Sequence, residues 1–269
     1  MKSKKILYIC SEVTPYTEET PLATVCRTLP QLMQENDNQI RIFMPRYGSI
    51  NERRGQLHEV IRLSGMNLII GNSDHQLIIK VASIAGARVQ VYFIDNEDYF
   101  SRRAMIQDAD GKYFDDNDER AVFFNRGVLE TVKKLRWAPD IIHCHGWISA
   151  IAPIYLRKVF ASDPIFNKSK IVVSLYDDDF EGQLAHDFKD KLRKEGVKAA
   201  DLAGLEEPTY VKLMSHILPY ADGIIRGSKT INPELEKLYL SSDKPRMEAT
   251  EETINAENYN QFYEEILSR

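Results

Sequence analysis

Cysteine is scarce in this sequence, and the shortage excludes a disulfide scaffold. Of 269 residues only three are cysteine, namely Cys10, Cys26 and Cys144. An odd number at such wide spacing is typical of reduced thiols. The cysteine usage therefore predicts a cytoplasmic protein.

Long apolar runs are also missing. The apolar stretch at 6–10 is too short for a signal peptide, and the polar pair Ser11 and Glu12 follows it at once. No stretch approaches the roughly 20 apolar residues that cross a bilayer. We therefore expect no membrane as a partner.

The chain lacks an excess of either charge and lacks glycine-rich phosphate loops. Lysine and arginine number 35 against 40 acidic residues, for a net charge of −5. This balance gives no reason to expect nucleic acid as a partner. The absence of Gly-x-Gly-x-x-Gly and Walker patterns argues against a typical dinucleotide or P-loop enzyme.

What the sequence does contain is an alternation of strand-like and helix-like segments. Short apolar runs predict strands at 5–10, 39–44, 140–144, 170–175 and 223–225, with further strand-like runs at 57–63, 66–70, 77–82 and 89–94. Helical spacing of apolar residues predicts helices at 22–34, 118–135, 147–160, 210–218 and 232–240. The pattern predicts an α/β fold, a mainly parallel sheet covered by helices.

Ligands in such folds bind beyond the carboxyl ends of the strands. The segments that follow predicted strands are therefore where we expect a site: 11–20, 45–50, 96–100, 143–147, 176–182 and 228–230.

The last 29 residues differ from the rest. Residues 241–245 have the composition of a linker, and Asn255 is placed to cap a final helix at 256–267. Its apolar side chains share one face: Tyr259, Phe262, Tyr263, Ile266 and Leu267.

Five segments carry a resemblance that no single one of them would establish. They are ICSEVTPY (9–16) with 22–23 and 29–30; MPRYGSI (44–50); YFID (92–95) with DNDER (116–120) and FFNR (123–126); WAPDIIHCHGW (137–147) with APIYL (152–156); and YAD (220–222) with Ser228. In their order and spacing across 5–240, the chain resembles the glycogen and starch synthases.

The resemblance implies the N-terminal half of a transferase with two Rossmann-like domains. The family moves glucose from ADP-glucose to the non-reducing end of an α-1,4-glucan with retention, mostly by positioning and electrostatic stabilisation. It also implies that His145 matches a histidine approaching the transferred glucose. No cofactor and no metal are implied.

The sequence departs from the family where the donor is bound. The family's Lys-x-Gly-Gly-Leu-Ala-Asp becomes a degenerate donor loop with Glu18, Thr20, Pro21 and Thr24 at the altered positions. A carboxylate thus replaces a cation, and proline removes a backbone N–H. The family's His-Asp-Trp becomes 145–147 with Gly146 in the middle, and its Thr-x-His-Asn becomes 174–177.

We expect no counterpart of the family's second domain. Such a domain needs on the order of 100–200 residues, and only the last 29 residues follow residue 240. The final helix resembles the family's crossover helix. We therefore predict a domain at 1–240, with 241–269 forming a linker and a crossover-like helix docked on it. This tail favours a natural complete chain.

Five residues are candidates for contact with sugar or substrate, and each has a plainer interpretation. His145 is either a ligand contact or a structural histidine at a helix start. Tyr16, Tyr47 and Trp147 form a stacking platform for a glucan, or Trp147 belongs to the core. Asp177 is a substrate contact or part of a solvated acidic loop.

Other chemistry is weakly indicated. His143 and His145 lack a third metal ligand, and the acidic run 177–179 with Glu181 is better explained as a solvated loop than as a cation site. Cys144 is placed to be a small buried residue rather than a nucleophile. Glu18 and Glu19 form a solvated pair or a new catalytic pair.

Three functions remain open for this chain. It is a non-catalytic glucan-binding or regulatory relative, one half of a split synthase completed by a partner chain or by self-association, or an active enzyme of altered specificity. Because the donor loop is degenerate, we expect that the chain alone does not catalyse glucosyl transfer. Possible ligands are an α-glucan or a nucleotide-sugar.

Overall fold

The computed structural model describes residues 3–101 and 104–269. Within them, ten strands form one mixed sheet. The strands are β1 (Lys5–Cys10), β2 (Gln39–Pro45), β3 (His58–Glu59), β4 (Met66–Ile70), β5 (Ser73–Ser83), β6 (Gln90–Asp95), β7 (Ile141–His145), β8 (Lys170–Leu175), β9 (Gly223–Arg226) and β10 (Arg246–Glu248).

The sheet is parallel over most of its width. Its order is β10-β9-β8-β7-β1-β2-β6-β5-β3, and β4 pairs with β5 off this path. Pairing is parallel from β10 to β6, whereas β5 runs antiparallel to β6, β3 and β4. The predicted α/β class with a mainly parallel sheet is confirmed.

Nine helices of the described residues surround this sheet. They are α1 (Pro21–Glu35), α2 (Glu52–Gly55), α3 (Glu97–Phe100), α4 (Asn117–Lys134), α5 (Ile151–Lys158), α6 (Phe188–Lys194), α7 (Tyr210–Ile217), α8 (Pro233–Ser241) and α9 (Ala256–Ser268). None of them is long and apolar enough to cross a membrane.

The first helix shows how the sequence produces these elements. Thr20 is the N-cap of α1, and Pro21 takes the first helical position, where the missing N–H costs nothing. The buried face consists of Leu22, Val25, Cys26, Leu29 and Met33, at helical spacing. Burial of each large side chain contributes about 1.5–3 kcal/mol, so α1 is held mainly by this face.

Three segments differ from the sequence-based expectation. The strand-like run at 57–63 is a strand only at His58–Glu59, because backbone bonds from Leu63 and Ser64 to Val60 close a turn there. The helix predicted at 147–160 begins as a 3-10 turn, Trp147–Ser149, before α5. Helix α6 was not predicted, because its seven residues give too short a pattern.

The final segment joins the sheet as well as covering it. β10 follows the predicted linker at 241–245 and pairs with β9. Lys244 holds this connection in place, because its ammonium group donates to the carbonyl oxygens of Leu218 at 2.9 Å and Pro219 at 2.7 Å. Helix α9 lies beside α1 and buries Tyr259 and Tyr263.

Candidate functional site

A cavity of about 320 Å³ opens beyond the carboxyl ends of β1, β7, β8 and β9. We call it the strand-end cavity. Such an edge is where ligands bind in open α/β sheets. Its walls are Ser11, Glu12, Thr20, Pro21, Leu22, Met105, Ile106, Trp147, Ile148, Tyr176, Asp177, Asp178, Asp179 and Ser228.

The start of α1 forms one wall of the strand-end cavity, and its N–H groups are already used or removed. Thr20 Oγ1 accepts a hydrogen bond from the N–H of Ala23 at 3.0 Å. The same hydroxyl donates to Glu12 Oε2 at 2.8 Å. Pro21 has no N–H. A helix N-terminus that would ordinarily attract an anion is therefore capped internally and faced by a carboxylate.

All the charged side chains on the described walls of the strand-end cavity are carboxylates. Four of its described wall residues are acidic, namely Glu12 and Asp177 to Asp179, and none of them is lysine, arginine or histidine. Burial raises the pKa of Glu12, and the nearby Asp178 and Glu18 raise it further, against the hydrogen bond from Thr20. Burial likewise raises the pKa of Asp178 to about 6. The site is rich in hydrogen-bond acceptors and unsuited to an anion.

Asp178 connects two parts of the cavity wall by hydrogen bonds. Its Oδ2 accepts the N–H of Trp147 at 2.7 Å, and its Oδ1 accepts the hydroxyl of Tyr210 at 2.7 Å. The indole ring of Trp147 packs against Phe180, with centroids 4.8 Å apart. These contacts fix Trp147 at the cavity edge.

Gly146 precedes Trp147 in a conformation that favours glycine. Its φ is +80°, and a Cβ at this position would collide with Ser11 Oγ. The aspartate found here in the family pattern does not fit this backbone unless Ser11 moves.

His145 lies outside the strand-end cavity, in the interior. It is fully buried, and the hydroxyl of Tyr176 is 2.7 Å from its Nδ1. Its Nε2 has no partner among the described residues. Burial lowers the pKa of His145 to about 3, so the ring is neutral at pH 7. Tyr176, which does line the cavity, separates His145 from it.

His143 belongs to a polar cluster beneath α9. Its Nδ1 lies 2.8 Å from the hydroxyl of Tyr263, and its Nε2 lies 2.7 Å from Ser174 Oγ. Its ring centroid is 3.9 Å from that of His145. Burial lowers the pKa of His143 as well. We call His143, His145, Ser174, Tyr8, Tyr176 and Tyr263 the buried polar cluster.

The structure brings together some of the predicted site residues and separates others. Thr20, Pro21, Trp147 and Asp177 all line the strand-end cavity. Tyr16 and Glu18 line a neighbouring depression of about 730 Å³, together with Met105, Ile106 and others.

The remaining predicted residues lie away from the cavity walls. Tyr47 is fully buried and donates to the carbonyl oxygen of Ser11 at 2.9 Å. Thr24 is half-buried within α1. The three aromatic residues of the predicted platform, Tyr16, Tyr47 and Trp147, thus occupy different environments. Which of the residues contacts a ligand stays a prediction.

Sequence reasoning did not single out Glu12, although it lies just after the end of β1 and its position was a usable signal. Asp178 was named only as part of the acidic run 177–179, which was interpreted as a solvated loop. Tyr176 was noted only as a departure from the family pattern. Among residues 3–101 and 104–269, no group of three or more histidine, cysteine, aspartate or glutamate side chains is arranged to hold a metal ion.

A helix-covered, largely parallel sheet with its cavity at the strand ends is the architecture of the class of Rossmann-like domains. Within that class, residues 5–244 match the family described as starch synthase catalytic domain, and the chain belongs to this family. The resemblance drawn from the five sequence segments is confirmed.

Individual relatives agree with this assignment. The chain is 38% identical to a glycogen synthase of Chlorobium limicola over 197 residues, which cover 73% of this chain and 40% of that protein. It is 35% identical to a glycogen synthase of Pelodictyon phaeoclathratiforme over 232 residues, which cover 86% and 47%. The chain thus spans about half the length of the relatives it matches.

A solved structure shows the same fold. It is the catalytic domain of starch synthase IV from Arabidopsis thaliana bound to ADP and acarbose. The match has a TM-score of 0.74 at 17% sequence identity and covers 92% of this chain and 51% of that one.

Proposed function

We propose that this 269-residue chain acts in glucan metabolism by binding an α-glucan, and that it does not transfer glucose by itself. Its relatives are named glycogen synthases, and the similar Arabidopsis domain was solved with ADP and acarbose. Of these two kinds of ligand, we propose that this chain binds the sugar and does not bind the nucleotide.

The observation that carries the proposal is the charge of the strand-end cavity. The diphosphate of ADP-glucose is an anion, whereas the described walls supply Glu12, Asp177, Asp178 and Asp179 and no cation. Like charges at short range in a partly buried site repel strongly. The capped start of α1 offers no compensating row of N–H groups. A nucleotide-sugar is therefore disfavoured.

A neutral glucan suits the same walls. Sugar hydroxyls are hydrogen-bond donors, and carboxylates such as the half-buried Glu12 and Asp178 are strong acceptors for them. Trp147 adds an apolar edge beside Asp178. Catalysis demands more, because a departing diphosphate and a positively charged sugar need preorganised stabilisation. His145 lies behind Tyr176, so it is not in reach of a sugar in this cavity.

Isothermal titration of the purified chain tests this function. We expect heat of binding with maltohexaose and none with ADP or ADP-glucose at the same concentrations. Glu12→Gln replaces a charged acceptor by a neutral one, and we expect maltohexaose to bind about fivefold more weakly. Glu35→Gln, at the exposed far end of α1, is the matched control. Turnover of ADP-glucose by the chain alone would refute the proposal.

A second candidate is one half of a split synthase. The observation that favours it is coverage, because the chain spans about half the length of its relatives. A co-purifying protein that restores ADP-glucose binding would support this alternative over the first.

We also propose a cytoplasmic location. Cys10, Cys26 and Cys144 are all free and buried. Free thiols of this kind suit a reducing compartment.

A further inference from the structure

A second cavity lies on the other side of Trp147. It has a volume of about 380 Å³, which is within the range of small-molecule sites. We call it the aromatic cavity. Its walls are Tyr113, Phe114, Asp115, Asn117, Asp118, Trp147, Phe180, Glu181, Gln183, Leu184, Ala185 and His186.

Asp118 is the unusual residue of the aromatic cavity. Its side chain is 0% exposed, and its Oδ2 forms an ion pair with Lys191 Nζ at 2.7 Å. Its other oxygen, Oδ1, has no hydrogen-bond partner among the described residues. Leaving a buried acceptor unpaired is unfavourable, and more so when it is charged. A donor supplied by a ligand would remove that cost.

The charge around Asp118 selects the kind of donor. Lys191 Nζ is also 3.0 Å from Glu119 Oε1 and 2.9 Å from Asp187 Oδ1. Burial raises the pKa of Asp118, against the hydrogen bond and the charge of Lys191. Asp115 and Glu181 add further acidic groups to the walls, while no lysine or arginine appears among the described wall residues. The cavity therefore opposes anions and offers acceptors to neutral hydroxyl groups.

The apolar part of the walls points to the same ligand. Trp147 and Phe180 pack with centroids 4.8 Å apart, and Tyr113 and Phe114 stand on the wall with them. Aromatic faces beside polar acceptors match a sugar ring, which has apolar C–H faces and hydroxyl edges. Such a combination binds apolar and polar parts of one ligand at once.

We propose that the aromatic cavity is a second binding site for a glucosyl residue, in which a sugar hydroxyl donates to Asp118 Oδ1. This inference rests on the proposed glucan binding and extends it. Trp147, which is 3% exposed, lines both cavities, so the two sites adjoin at this residue.

The test compares two carboxylates that share the same lysine. Asp118→Asn replaces one carboxylate oxygen by an NH2 group; because Lys191 keeps the remaining oxygen on its side, the cavity then faces a donor in place of an acceptor. Asp187→Asn changes another partner of Lys191 that does not line the cavity. Binding of maltotriose is followed by tryptophan fluorescence in a Trp137→Phe background, which leaves Trp147 as the reporter. We expect at least a tenfold loss of affinity in Asp118→Asn and less than a twofold change in Asp187→Asn.

A second variant keeps the test decisive if Asp118→Asn does not fold, which circular dichroism will show. Phe180→Leu keeps an apolar side chain but removes the aromatic face, and we expect it to bind maltotriose several-fold more weakly. Unchanged affinity in both folded variants, or in a folded Phe180→Leu when Asp118→Asn fails to fold, overturns the inference. If Glu12→Gln alone weakens binding, glucan binding stands and this second site falls. If the unmutated chain binds no maltooligosaccharide, the proposed function itself fails.

Discussion

The strand-end cavity and the buried polar cluster share Tyr176, which lines the cavity and contacts His145, yet the two regions differ in charge. The cavity keeps four carboxylates at its walls. The cluster holds two histidines and their hydroxyl partners in the interior, and burial keeps both rings neutral. One tyrosine therefore divides a charged, open region from a neutral, closed one, and His145 is on the closed side.

The difference shows how a residue changes role without changing its place in the chain. His145 stands at the carboxyl end of β7, where the family resemblance predicts a sugar contact. Here the hydroxyl of Tyr176 is hydrogen-bonded to Nδ1 of His145. The hydroxyl of Tyr263, on α9, is hydrogen-bonded to Nδ1 of His143. His145 is fully buried in this structure, and its contact with a sugar stays a prediction.

We expect the largest effect when helix α9, which packs over the buried polar cluster, is removed. Deleting residues 250–269 removes α9, whose buried side chains include Tyr259, Phe262, Tyr263 and Ile266. Each contributes about 1.5–3 kcal/mol, so we expect the melting temperature to fall by about 10 °C or more. Deleting only the exposed residues 268–269 is the control. An unchanged melting temperature after the longer deletion would show that α9 does not hold the cluster.

Acidification tests the neutrality of the cluster. The pKa of both His143 and His145 is lowered in the folded chain relative to about 6.5 when unfolded, so their stabilising contribution is complete above pH 6.5 and is lost as pH falls. At pH 5 the loss reaches about 2 kcal/mol for His145, whose pKa is lowered to about 3, and the lowered pKa of His143 acts in the same direction. The raised pKa of Glu12 and Asp178 acts in the opposite direction, because a carboxyl protonated more readily when folded gains stability in acid.

Urea unfolding at pH 8 and pH 5 measures this loss. A His143→Gln/His145→Gln double variant should have a shallower dependence on pH than the unmutated chain. His186→Gln, at an exposed position, should leave the dependence as it was. Equal slopes in the unmutated chain and the double variant would mean that the cluster is not neutral.

The smallest effect concerns the open region. Thr20→Ala removes the cap of α1 and the hydroxyl that donates to Glu12, and we expect a loss of about 1 kcal/mol in the free energy of unfolding. Thr20→Ser keeps the hydroxyl and should stay close to the unmutated chain. Should alanine and serine prove equally stable, the internal capping of α1 has no energetic role.

Much of the fold could be predicted from sequence, because strands such as 5–10 and helices such as 22–34 carry strong local patterns. The strand-end edge of the sheet could also be predicted as the place of the cavity. Four of the residues singled out there line it: Thr20, Pro21, Trp147 and Asp177. What the sequence could not supply was the direction of each side chain. Every residue of β7 is buried, so no alternation tells which face His145 occupies.

Contacts between distant residues account for the remaining differences. The pairing of His143 with Tyr263 joins residues 120 positions apart, and no local pattern encodes it. The unpaired oxygen of Asp118 is likewise visible only once Lys191 is in place, because that lysine comes from the unpredicted helix α6. The division of the chain into 1–240 and 241–269 stays a prediction.

The turn at Gly146 carries a consequence for any attempt to rebuild a transferase from this chain. A side chain at this position meets both Ser11 and Leu22, and it needs a φ of +80°, which residues other than glycine rarely adopt. Ser11 itself belongs to the segment 9–16 that matches the family, so replacing it by a smaller residue would remove another part of the family pattern. Restoring the aspartate therefore calls for a different backbone conformation at residue 146 and not only for a new side chain.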